Sequence, residues 1–141
     1  MKPSTLYRIA SMVFLLFAAG HTMGFLTFRP ESAEGLAVFN AMESVTFAFN
    51  GAVRSYGEFY KGFGLQVSAY LLFSAVLAWL LARLATTHPK AIIGIAWAFA
   101  AVQLSVLVLC VVYFFLLPTL LSAVILICLL WAAWRLGSAA A

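Results

Sequence analysis

His21 is the residue whose type and position most invite chemistry, because it stands in Gly20-His21-Thr22-Met23-Gly24, inside the first long apolar run. An imidazole left unpaired in hydrocarbon loses its hydration, so it needs a partner. A carboxylate from Glu43 or Glu58 would turn that pairing into an acid/base couple, with Arg54 or Lys61 contacting a polar headgroup. A neutral imidazole bonded to a backbone carbonyl or a glutamine is the structural alternative. Arg54 and Glu58 lie one helical turn apart if a helix begins near Arg54, as do Tyr56 and Tyr60, and Glu58 can also pair with Lys61. The same cluster also reads as an interfacial anchor of rings and ion pairs. Gln66 and Gln103 are the other strong hydrogen-bonding groups within apolar runs. With His21 they could line a polar cavity, or they could bond between helices.

Gly20 and Gly24 have the spacing that lets a second helix approach closely, which predicts a tight crossing beside His21. Other chemistries find no support. His88 stands beside Pro89 in a short loop and cannot join His21 as a second haem ligand. No spacing of His, Cys and acids suits zinc, and there is no phosphate-cradling glycine loop, G-x-S-x-G or HExxH. No metal or cofactor is therefore expected. Cys110 and Cys128 occur singly, outside any CxxC pair, and read as small apolar fillers.

The elements that must position these groups are membrane spans. Of 141 residues, 66% are hydrophobic, and eight basic and four acidic side chains are too few to cover a soluble surface. The pattern predicts an all-α membrane protein, an antiparallel bundle of four transmembrane helices forming a single domain over residues 1–141. Crossing a hydrocarbon core of ~30 Å takes roughly 20 residues. The runs 6–28, 62–84, 91–117 and 119–136 meet or approach that length, with a tight hairpin around Pro118. The first run continues past Ala18-Ala19-Gly20 to Phe28, which predicts a retained helix rather than a cleaved signal.

With four spans, Lys2, Arg8, Arg83, Lys90 and Arg135 share one side, and Glu31, Glu34, Glu43 and Glu58 share the other with Arg29, Arg54 and Lys61. The excess of basic residues marks the cytoplasmic side, so both termini are expected there. Trp79, Trp97, Trp131 and Trp134 fall toward the same side, as interfacial indoles do. The net charge of +4 then reflects this bias and contact with the lipid bilayer, and requires no nucleic acid. Residues 29–61 form the one long connection, rich in aromatic and branched residues and so expected to be a structured extracytoplasmic cap. Within it, residues 34–43 have helical spacing, while Val45 to Phe49 alternates and leads into Asn50-Gly51, a favoured hairpin turn.

The segments GHTMGF at 20–25 and RSYGEFYKGFGL at 54–65, with four spans and a long first loop, resemble a group of small uncharacterised bacterial four-helix membrane proteins. A more distant similarity is to DoxX-like four-helix membrane proteins. The resemblance implies the architecture and a bacterial inner (plasma) membrane, and transfers no catalytic residue. Two functions follow from the residues. One is non-enzymatic: the protein associates with itself as a homo-oligomer, joins a larger membrane complex, or holds a hydrophobic small molecule under the cap. The other is an enzyme acting on a lipid or isoprenoid-like substrate, with His21 and Glu58 or Glu43 as acid and base.

Overall fold

A computed structural model describes residues 1–138. The elements, in chain order, are α1 (Pro3–Thr27), α2 (Ala33–Ser44), β1 (Thr46–Phe49), β2 (Ala52–Ser55), α3 (Tyr56–Thr87), a 3-10 turn (Pro89–Ile92), α4 (Ile93–Tyr113) and α5 (Leu116–Ser138). Among the described residues, four helices are long and apolar enough to cross a membrane: α1, α3, α4 with its preceding turn, and α5. The chain thus has the character of a multi-pass helical membrane protein.

Two compact units can be distinguished. The first comprises Met1–Ala18 and the described residues from Leu71 onward, and the second Ala19–Tyr70. In the first, parts of α1 and α3 pack with α4 and α5 as a helical bundle. The buried positions of α1, Leu6, Tyr7, Ala10, Ser11, Phe14, Phe17 and Ala18, recur every three or four residues and so share one stripe. Alanines at 10, 75, 78, 96, 100, 132 and 133 are all buried, and their small size allows the close contact that holds helices together where water cannot drive association. Larger groups lock the register. Ser11 donates to the Ala75 carbonyl at 2.8 Å, and Phe14 stacks on Phe99 with centroids 5.7 Å apart.

Gln103 belongs to this unit. It is buried, and its amide N–H donates to Ser122 Oγ at 2.8 Å and the Ser122 carbonyl at 3.2 Å. The bonds tie α4 to α5, which is the interhelical alternative weighed for this residue. Cys110 and Cys128 are buried free thiols.

Two boundaries differ from those expected. The α4–α5 hairpin lies at Phe114-Phe115, before Pro118 rather than around it. Phe114 turns extended while its N–H bonds back to Cys110, and Pro118 falls in the first turn of α5, where no intrahelical partner is needed for the N–H it lacks. The second span begins at Tyr56 instead of Gly62. At ~1.5 Å per residue its 32 residues run about 48 Å, well beyond a hydrocarbon core of roughly 30 Å, so the helix continues past the membrane-crossing stretch.

The second unit holds the rest of α1, then α2, the hairpin and the beginning of α3. α1 ends at Thr27, shortly before Arg29-Pro30, where the residue preceding proline is driven out of helical geometry. Ser32 caps α2, its hydroxyl accepting from Gly35 N–H at 3.0 Å. The expected hairpin is present: β1 and β2 pair antiparallel with Phe49 opposite Ala52. Asn50 (φ 47°) and Gly51 (φ 80°) make the two-residue turn, and both lie in the left-handed region that a type I′ turn demands.

Candidate functional site

His21 faces α3, and its partner is main chain. Its Nε2 lies 3.0 Å from the Gly64 carbonyl. A carbonyl only accepts, so Nε2 carries a proton and donates. Ser68 Oγ also reaches that carbonyl, at 3.4 Å, and receives a bond of 2.7 Å from Thr22 Oγ1. Phe25, one turn along α1, stacks on the imidazole at 5.8 Å and 10° and meets Tyr60 at 5.2 Å. The seat for this ring is Gly64, where any Cβ would overlap the Phe25 ring edge.

The close approach therefore centres on Gly64 and not on Gly20 and Gly24. A methyl group at either of those would meet no neighbouring group within 4 Å among the described residues. The GxxxG spacing was expected to mark a crossing, but a crossing requires a facing backbone, and both glycines are exposed.

Neither proposed carboxylate partner bonds to His21. Ser55 and Glu58 form a capping box at the start of α3: Glu58 Oε2 accepts from Ser55 N–H at 2.8 Å, and Ser55 Oγ accepts from Glu58 N–H at 3.0 Å. This satisfies two donors that a helix start leaves open, and puts negative charge at the positive end of the helix. Glu58 consequently pairs with neither Arg54 nor Lys61. Arg54 donates instead to the Val53 carbonyl at 2.8 Å. Glu43 is held by Lys61, with Nζ 3.0 Å from one carboxylate oxygen and 3.1 Å from the other. Its carboxylate lies over Gly57, where a Cβ would come within 2.7 Å of it. The acid/base couple is thus not assembled: one acid caps a helix, the other is salt-bridged, and His21 is bonded to backbone.

Six of the candidate residues divide between two surfaces of this unit. Arg54, Glu58 and Gln66 line an open groove of about 440 Å³ with Phe59, Gly62 and Phe63. Phe59 and Phe63 meet edge to face at 4.7 Å, and Phe47 of the hairpin packs on Tyr56 and Phe59 at 5.0 and 5.6 Å. Tyr56 therefore anchors the hairpin, while Tyr60, expected to share its face, belongs to the second surface.

That second surface is a more enclosed cleft of about 360 Å³, lined by Phe25, Leu26, Phe28, Arg29, Phe39, Asn40, Glu43, Tyr60 and Lys61. Its apolar floor comes from the last turns of α1. Its polar rim comes from α2, the chain after α1, and the second turn of α3. The Arg29 guanidinium lies 5.0 Å over the Phe39 ring, a cation–π contact that fixes it at the rim. Gln103, in the other unit and bonded to Ser122, lines neither surface.

Sequence reasoning did not single out Phe25, Arg29, Phe39, Ser55 or Gly64. For Ser55 the signal was present in Ser-x-x-Glu before an apolar run, and for Arg29 in its position at the end of a span. No protein-family model, curated protein or solved structure matches the chain.

Proposed function

We propose that the chain is a small multi-pass protein of a bacterial inner membrane, with both termini cytoplasmic and residues 29–61 as an extracytoplasmic cap that holds one hydrophobic molecule without transforming it. The basic residues Lys2, Arg8, Arg83, Lys90 and Arg135 support the orientation. The resemblance of the 20–25 and 54–65 segments to small bacterial four-helix proteins supports the membrane.

The observation that carries the binding function is the cleft. Four apolar side chains, Phe25, Leu26, Phe28 and Phe39, face a space edged by Arg29, Asn40, Glu43 and Lys61. Polar and apolar groups share the lining about equally, so the cleft offers both a surface for a chain and groups that orient a head. The bonding of His21 to Gly64 argues against proton transfer as its role. His21 instead supports the floor, because it stacks beneath Phe25.

Mass spectrometry of molecules retained through purification tests this reading. Wild-type protein should keep one small amphipathic molecule per chain, and Phe25→Ala with Phe39→Ala should lose it while remaining helical. Equal retention by both proteins would contradict the assignment of the cleft.

A further inference from the structure

We propose that the polar end of the molecule held in this cleft is an oxyanion of net charge −1, a carboxylate or a phosphodiester with no cation of its own, carried on an acyl chain. The inference rests on the reading of the cleft as a binding site and specifies what it binds.

The cleft contains two cations and one anion. Lys61 contacts both oxygens of Glu43, so that pair is internally neutral. Arg29 has no carboxylate partner among the described residues, and Phe39 covers one face of its guanidinium. Arg29 is exposed and the ring contact uses only a face of the guanidinium, so its planar edge of N–H donors is the part suited to two oxygens of one oxyanion. The cleft's own side chains therefore carry one net positive charge, which a monoanion neutralises. A dianion would require Lys61 as well, and Lys61 is engaged with Glu43.

The chain requirement comes from the other wall. Leu26 is 60% exposed and Met23, one turn earlier on α1, is 68% exposed, so apolar surface continues from the cleft along the helix toward its membrane-crossing part. An acyl chain can follow that surface while its head remains at Arg29. A free inorganic anion would gain nothing from it.

Native mass spectrometry of the full chain in a neutral detergent separates the cases, using oleate, phosphatidylglycerol, phosphatidylcholine, phosphatidic acid and inorganic phosphate as probes. Oleate or phosphatidylglycerol should bind one per chain, at least about tenfold more tightly than phosphatidylcholine, whose phosphodiester is already balanced by its own ammonium and leaves the charge of the cleft uncompensated. Inorganic phosphate should not bind measurably. Arg29→Gln should abolish the preference. Glu43→Gln should release Lys61, raise the cleft to two net positive charges, and strengthen binding of the dianionic phosphatidic acid by roughly tenfold. That gain cannot arise from misfolding. Equal binding of phosphatidylcholine, an unchanged preference in Arg29→Gln, or no gain in Glu43→Gln would overturn the monoanion assignment and leave the cleft as a binding site. Phosphate binding as tightly as oleate would overturn the acyl-chain requirement. If no amphiphile binds one-to-one, the binding function itself fails.

Discussion

Replacing Gly64 with alanine should lower stability, whereas the same change at Gly62, half a turn earlier on α3, should raise it. A Cβ at Gly62 meets nothing within 4 Å among the described residues, so this substitution yields the intrinsic helix preference of alanine, about 0.5–1 kcal/mol. A Cβ at Gly64 falls on the Phe25 ring. That ring is bracketed by His21 at 5.8 Å and Tyr60 at 5.2 Å, so moving aside disturbs both contacts. Overpacking of this kind costs about 1–3 kcal/mol. The propensity gain is common to both variants, so the difference between them isolates the overpacking. At about 3–4 °C per kcal/mol for a chain of this size, Gly64→Ala should melt roughly 3–12 °C below Gly62→Ala. Thermal unfolding of both variants in one detergent, followed by circular dichroism, measures this directly. A Gly64→Ala protein melting as high as Gly62→Ala would refute the close seating of Phe25, and with it the floor of the cleft.

Three further outcomes follow from the bonding. His21→Phe keeps a ring beneath Phe25 but loses the bond to the Gly64 carbonyl, and should cost about 0.5–2 kcal/mol in chemical unfolding, with His21→Ala costing more. Ser55→Ala breaks the capping box and should cost about 0.5–2 kcal/mol, with faster amide exchange confined to the first turn of α3. Gln103→Leu removes two bonds to Ser122 but also a buried carbonyl oxygen that has no partner among the described residues; it should stay within about 1 kcal/mol of wild type by thermal unfolding.

The parts of the fold that depend on composition were legible in the sequence. Four apolar runs became four long helices, and the 34–43 periodicity became α2 at Ala33–Ser44. Asn50-Gly51 made the turn because few residue pairs tolerate two successive positive φ angles. The parts that depend on what faces what were not legible. GxxxG selected Gly20 and Gly24, but a glycine matters only where another group approaches it, and that group, Phe25, approaches Gly64. His21 was sought beside an acid because acids are visible in a sequence, whereas its partner is a carbonyl that every residue possesses. Glu58 shows the opposite fault: Ser55-x-x-Glu58 was readable as a cap, yet the charges around it drew the assignment toward ion pairs. Arg29 and Phe39 became a pair only once α2 had folded back beside the end of α1.

The most direct test of the central claim, that the cleft holds an amphipathic molecule, is photolabelling with a fatty acid whose chain carries a diazirine, followed by peptide mapping. The account predicts that labels concentrate on residues 25–28 and on Phe39, Asn40 and Tyr60, and that unlabelled oleate competes them away. Labels spread without competition over exposed apolar positions such as Phe73 and Val111 would show only contact with bulk lipid, and would contradict it.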